Sequence, residues 1–140
     1  MYDAREHICF NVGRVMRKVY EHYDSRLAPF NLTTPQYMVF AALWMGDGIT
    51  IGDLGQRVSL DGSTITGILD RMEKNGYVER RPNAGDRRSA LVHLTEKARE
   101  VGPQIIKFAD ELDDAIRKRI PARDMVVFER VLHEMAEPQA

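Results

Sequence analysis

The stretch from Asp61 to Thr95 constrains this chain more than any other. Ile65, Ile68, Leu69 and Met72 recur at i, i+3, i+4 and i+7, which predicts one amphipathic helix over residues 61–75. Asp61 is a good N-cap, and Asn75-Gly76 is a good stop. The opposite face carries Ser63, Gly67, Asp70, Arg71 and Lys74, with Thr64 and Thr66 at its flanks. Gly67 costs roughly 1 kcal/mol of helix propensity relative to alanine, a cost that close approach to another molecule would justify. Directly afterwards, Val78 opens a short strand and Pro82-Asn83-Ala84-Gly85-Asp86 is turn chemistry. Ala90, Val92 and Leu94 then alternate with Leu91 and His93, as in a half-buried return strand.

A helix faced with small hydroxyls and followed by an arginine-tipped hairpin suits duplex DNA. The helix fits the major groove, and the hairpin reaches the minor groove beside it. Arg80, Arg81, Arg87 and Arg88 surround the turn, and between Arg71 and Arg88 six Lys/Arg face three Asp/Glu. The whole chain is at −1, with a pI near 6.4, so any attraction to a polyanion has to come from this local patch. Asp86 and Arg88 are spaced for a carboxylate that fixes a guanidinium, which suits a narrow minor groove. The competing reading is a solvated helix face followed by a charged turn. In that case the chain is a winged-helix protein-interaction module, without specific DNA binding.

Residues 50–99 resemble the winged helix-turn-helix of the MarR family of bacterial transcription regulators. The matching stretches are Thr50-Ile-Gly-Asp-Leu-Gly55, Ser63-Thr-Ile-Thr66, Asp70-Arg-Met-Glu-Lys-Asn-Gly-Tyr-Val-Glu-Arg80 and Asp86-Arg-Arg-Ser-Ala-Leu-Val-His-Leu-Thr95. The last is the most specific, since the family's wing runs Asp-x-Arg into a short strand ending Leu-Thr. The resemblance implies that Asp86 and Arg88 form the wing pair and that Ser63, Thr64, Thr66 and Arg71 contact DNA. Lys74 and Arg87 join them from the residue pattern. It also implies a repressor-type regulator that binds a pseudo-palindromic operator as a homodimer.

The remaining residues read as helices. They are 3–28, ended by Pro29; a second helix capped by Thr34-Pro35; a short one opened by Thr50-x-x-Asp53; one from Thr95-Glu96 to about Arg119, kinked or loosened at Pro103; and a last one starting at Pro121. The fold class expected is mainly α with a small β-hairpin wing. It is one MarR-type domain, with residues 30–99 as the DNA-binding lobe and 1–29 and 100–140 as a helical dimerisation region. Those terminal helices carry more apolar positions than one small core needs, which suits packing against a second copy and places two reading helices about one DNA turn apart.

Inventory narrows the function further. A chain of 140 residues with 44% hydrophobic content is one ordinary globular domain. It has no apolar run long enough for a membrane span and no signal-peptide core at its start, and its single cysteine rules out an internal disulfide framework, so a cytoplasmic protein is expected. The four scattered histidines form no metal-binding pair and no Gly-rich phosphate loop appears, so neither a cofactor, a metal nor an enzyme is expected.

Two switches remain open. Cys9 lies between Ile8 and Val12, where a free cysteine is commonly a small buried hydrophobe. Ile8-Cys-Phe10, Leu32-Thr-Thr-Pro-Gln-Tyr-Met38 and Leu43-Trp-Met-Gly-Asp-Gly-Ile-Thr50 also resemble the organic-hydroperoxide regulators, the OhrR branch. That resemblance implies Cys9 as a peroxide sensor assisted by tyrosines of the other subunit. Tyr23 matches one such position; it is about 21 Å along the helix from Cys9, so it can help only across a dimer. Gly13 and Thr34 replace the other two tyrosines. The alternative is a small aromatic ligand in a pocket lined by Met16, Tyr20, Tyr37, Met38 and Trp44, with His7 and His22 as polar contacts; such aromatic and Met stripes also serve as plain core.

Overall fold

A computed structural model describes residues 1–137. They fall into two compact units, 1–106 and 107 onward. The first unit holds a 3-10 turn Ala4–Glu6, α1 (Ile8–Leu27), a 3-10 turn Ala28–Phe30, α2 (Thr34–Trp44), β1 (Ile49–Thr50), α3 (Ile51–Val58), α4 (Gly62–Lys74), β2 (Val78–Pro82) and β3 (Ala90–Leu94). Then α5 (Glu96–Arg117) runs on into the second unit, which also contains α6 (Ala122–Ala136). The fold is mainly helical with a small antiparallel sheet, as the hydrophobic periodicity required.

Several boundaries differ from expectation for local reasons. The helix expected over 3–28 is broken at His7, whose backbone is extended. Asp3 caps the short turn before it by accepting from the Arg5 amide at 2.9 Å, and Asn11 Nδ2 donates to the Arg5 carbonyl at 2.8 Å. The cap of α2 is Thr33, one residue earlier than expected. Its hydroxyl accepts from the Gln36 amide while Gln36 Oε1 accepts from the Thr33 amide at 3.0 Å, a complete capping box. Thr50 caps α3 in the expected way, accepting from the Asp53 amide at 3.1 Å. α5 continues as a helix through Pro103.

The sheet has an unexpected member. β1 pairs antiparallel with β3, giving the order β1-β3-β2, with Ile49 opposite Val92 and Thr50 opposite Leu91. β2 and β3 form the expected hairpin, with Val78 opposite Leu94 and Arg80 opposite Val92, but its pairing extends to Pro82 opposite Ala90, which shortens the free turn to residues 83–89. At the sheet's base, the Asp47 carboxylate accepts from the Leu94 amide at 2.8 Å and from the Arg99 guanidinium at 2.6 Å. Partial burial works against ionisation of Asp47, but the Leu94 amide and Arg99 outweigh it and hold its carboxyl below the usual carboxylate range.

The core of the first unit lies between α2, α3, α4 and β3. Phe40, Leu43, Leu54, Ile65, Leu69, Met72 and Val92 are fully buried, each contributing roughly 1.5–3 kcal/mol of burial. Ile65, Leu69 and Met72 are the buried members of the apolar stripe read on α4, and Ile68 is half-buried beside them. Two glycines permit close approaches. A Cβ at Gly55 would lie 2.8 Å from the Leu60 carbonyl, so the tight turn from α3 into α4, with Ser59 left-handed at φ 55°, needs a glycine there. A Cβ at Gly102 would fall within the Trp44 ring.

In the second unit, Met125 of α6 is buried, and Arg117 at the end of α5 bonds both Asp113, at 2.6 Å, and Glu129 of α6. The apolar face predicted for α6 is present but uncovered, with Val126 70% exposed and Val127, Val131, Leu132 and Met135 also exposed.

Candidate nucleic-acid interface

α4 has the expected bounds, and its start is well organised. Asp61 accepts from the Thr64 amide at 2.8 Å and from the Ser63 hydroxyl at 2.7 Å. Those bonds, the Thr64 amide first, hold its carboxyl at a pKa of about 2. The Thr66 hydroxyl donates back to the Gly62 carbonyl at 2.7 Å. Ser63 and Thr66 thus already use their single O–H donors inside the helix, and each offers its oxygen outward as an acceptor. Ser63, Thr64, Thr66, Gly67, Arg71 and Lys74 are all exposed, and nothing lies within 4 Å of a Cβ placed at Gly67. The structure therefore brings the expected residues onto one open face.

Arg80 has a different role from the one its position in the basic run suggested. Its side chain is only 25% exposed, and its guanidinium bridges back to α4, bonding Asp70 at 2.8 Å and Glu73 at 2.7 Å. Arg81 is likewise paired, with Glu79 on its own strand. The local excess of positive charge thus rests on Arg71, Lys74, Arg87 and Arg88, while Arg80 ties the hairpin to the helix and neutralises two carboxylates on the exposed side. Those partners lie seven and ten residues from Arg80 in the chain, and no local pattern connects them.

The wing tip is a nest of side-chain turns. Asn83 Oδ1 accepts from the Gly85 amide at 3.0 Å, and Asn83 Nδ2 donates to the Ser89 hydroxyl at 3.0 Å. The expected Asp86–Arg88 ion pair is not formed. Instead Asp86 Oδ1 accepts from the backbone amide of Arg88 at 2.9 Å. A carboxylate two residues before an amide is well placed for such a turn, and it satisfies the backbone first. Asp86 therefore sets where the chain carries Arg88, and the Arg87 and Arg88 side chains stay exposed, with no ion pair among the described residues.

The residues considered for a switch separate into different environments. Cys9 is exposed on the single chain. It sits at an open surface notch over Gly13, lined also by Phe10, Arg14 and Arg17. Thr34 is buried and its hydroxyl donates to Asp24 at 2.8 Å, so it faces its own chain. Tyr23 is buried and stacks on Tyr37 with ring centroids 4.5 Å apart. Trp44 stacks on Phe40 at 5.8 Å and covers Gly102, whereas Met16, Tyr20 and Met38 are exposed. Tyr37 and Trp44 thus serve the core, and the five pocket candidates do not share one environment within a single chain.

Comparison with known proteins places this architecture. The model of the MarR family matches residues 32–90, which run from the start of α2 to the wing. The chain is 27% identical over 115 residues to the HTH-type transcriptional regulator MgrA of Staphylococcus aureus, covering 81% of this chain and 78% of that one. A mutant MarR from E. coli complexed with operator DNA superimposes with a TM-score of 0.81 at 27% identity, covering 90% of this chain and 91% of that chain. Overoxidised AbfR bound to DNA superimposes with a TM-score of 0.74 at 26% identity, covering 91% and 88%. With a winged helix-turn-helix of the same build, in which α4 presents its hydroxyls beside an arginine-tipped hairpin, the chain is similar to regulators of the MarR family over the lobe that the family model matches.

Proposed function

We propose that this protein is a sequence-specific DNA-binding transcriptional regulator that acts as a homodimer, represses from a pseudo-palindromic operator and has no catalytic step of its own. One observation carries the reading. The open hydroxyl face of α4 and the free arginines of the wing are held as one unit by Arg80, so one protomer presents a major-groove element and a minor-groove element in fixed relation. Relatives of the same build, E. coli MarR and AbfR, have been solved on DNA. No helix among the described residues is long and apolar enough to cross a membrane, which accords with a regulator that works in the cytoplasm.

The dimer reading rests on uncovered apolar faces. Ile8 is 75% exposed, and Phe10, Val12, Val15 and Met16 of α1 are exposed too, as is the apolar face of α6. We assign residues 30–99 to DNA reading, and 1–29 with 100–140 to pairing. Binding selection from a random duplex library, followed by a gel shift over increasing salt, tests the proposal. Enrichment of an inverted repeat and a steep loss of affinity with salt are expected. An unenriched library, or binding indifferent to salt, would leave the interaction-module reading.

For the signal, an oxidative switch at Cys9 and an aromatic ligand both stand: the thiol is exposed on the single chain, and AbfR, a relative, has been solved on DNA both reduced and overoxidised. The thiolate sulfur would take the terminal oxygen of an organic hydroperoxide; the O–O bond breaks, the alcohol departs and a sulfenic acid remains. Cys9→Ser should bind DNA normally and ignore the peroxide. Release of the Cys9→Ser protein by peroxide, or of the wild type by an aromatic carboxylate alone, would move the switch to the ligand reading.

A further inference from the structure

The exposed side of α4 carries two carboxylates that are paired and two cations that are not. Asp70 and Glu73 lie on the flank beside the wing, where Arg80 holds them. Arg71 lies on the flank away from the wing, Lys74 lies between it and the Asp70–Glu73 side, and neither cation makes an ion pair among the described residues. They overlook a groove of about 450 Å³ whose far wall is the start of α2, including Asn31 and Thr33. No acidic side chain lines this groove. Its floor is pinned, because Asn75 Nδ2 donates to the Asn31 carbonyl at 3.1 Å and Asn31 Nδ2 reaches Asn75 Oδ1 at 3.4 Å.

We infer that this groove seats a phosphate of the DNA backbone, gripped by Arg71 and Lys74 and walled by the start of α2, so that the two cations position the duplex and do not read a base. The inference rests on the DNA-binding reading above. Position along the helix decides between phosphate and base. In a recognition helix the N-terminal turns reach the base edges. Arg71 and Lys74 belong to the last turns of α4, beyond the hydroxyl-bearing start. Two unpaired cations in a groove free of carboxylates suit a phosphodiester, and phosphate contacts fix register without carrying sequence information. Arg80 contributes from the other flank by keeping Asp70 and Glu73 from facing the same backbone.

Counterion release makes the test quantitative. Affinity is measured against salt by fluorescence anisotropy on two probes, the duplex enriched from a random library and a short mixed-sequence duplex. Replacing Arg71 and Lys74 together by Gln should reduce the slope of log affinity against log salt by about 0.9 for each cation lost per protomer. The loss of affinity should be the same on both probes. The control Arg123→Gln, an exposed cation on α6, should leave the slope unchanged. Asn31→Asp adds a carboxylate to the far wall without asking for a new backbone conformation at φ 55°, because Asp accepts the left-handed region as Asn does. It gives up the bond to Asn75 Oδ1, so binding is compared well below the thermal midpoint with circular dichroism showing the fold retained, and it should weaken binding to both probes alike.

An unchanged slope in the double variant would overturn the seat. So would a loss confined to the enriched duplex with altered base preference, which would make Arg71 a base reader. An Asn31→Asp protein that binds as the wild type does would remove α2 from the contact and overturn the seat as drawn. If the wild type shows no salt-dependent binding to either duplex, the DNA-binding reading itself fails and the seat falls with it.

Discussion

The DNA-reading lobe and the terminal helices solve opposite problems with the same kind of amphipathic helix. In the lobe, α4 buries Ile65, Leu69 and Met72 within its own chain and leaves a polar face open. At the chain's ends, the first two-thirds of α1 and most of α6 carry apolar faces that stay uncovered. The lobe covers its apolar stripe as one copy; the apolar faces of α1 and α6 stay open on the single chain. A hydrophobic stripe therefore states that a face must be buried, and it does not state by which chain.

The largest effect should come from spoiling the uncovered face. Val126→Glu with Leu132→Glu places charges at exposed positions of α6, and analytical ultracentrifugation should show loss of the dimer with helicity retained. A dimer that survives would contradict the contrast between the two regions. The converse test is Gly102→Leu within the first unit. Trp44 occupies the space any side chain would need, so overpacking should destabilise the protein by about 1–3 kcal/mol in denaturant melts without altering the dimer surface on α6.

Smaller effects sharpen the account of the lobe. Arg88→Ala should weaken DNA binding while changing stability by less than about 0.5 kcal/mol, because the side chain is solvated at the wing tip. An unaltered dissociation constant would remove the wing from the interface. Asp86→Ala should act in the same direction and more weakly. Its carboxylate holds the Arg88 amide and not the guanidinium, so the loop loosens but the charge remains.

The smallest expected effect concerns pH. Asp61 has its carboxyl lowered to about 2 by the Thr64 amide and the Ser63 hydroxyl. A depressed acid contributes stability that is present above its unfolded pKa of about 4 and is lost as pH falls through the folded value. Wild-type protein should therefore show an acid-dependent loss of stability between about pH 4 and 2 that Asp61→Ala lacks. Equal pH profiles for the two proteins would show that the cap does not act through its charge.

What the sequence disclosed and what it concealed follow from range. The bounds of α4, the β2–β3 hairpin and the capped start of α3 are written in residues a few positions apart, and they were legible. β1 was not, because a two-residue strand has no alternation to read and exists only through its pairing with Val92 and Leu91. Thr34 looked like a helix cap. It is not one, because Thr33 takes the capping box, and the Thr34 hydroxyl donates to Asp24. Arg80 was counted with its neighbours as free charge, and only the folded chain returns it to Asp70 and Glu73. The face of α4 was thus legible from period and composition, while the distribution of charge across that face required tertiary structure.

The Arg80 bridge has a mechanical consequence. It joins strand to helix on one side of the head, while Asp47 joins the same sheet to Arg99 of α5 on the other. Moving the hairpin without the helix means breaking two ion pairs at once; moving the sheet without α5 means uncoupling a carboxylate from both an amide and a guanidinium. Hairpin, recognition helix and the start of α5 are thus cross-tied within one head. In a dimer of such heads, a signal that altered the span between them would act on both while each kept these bonds.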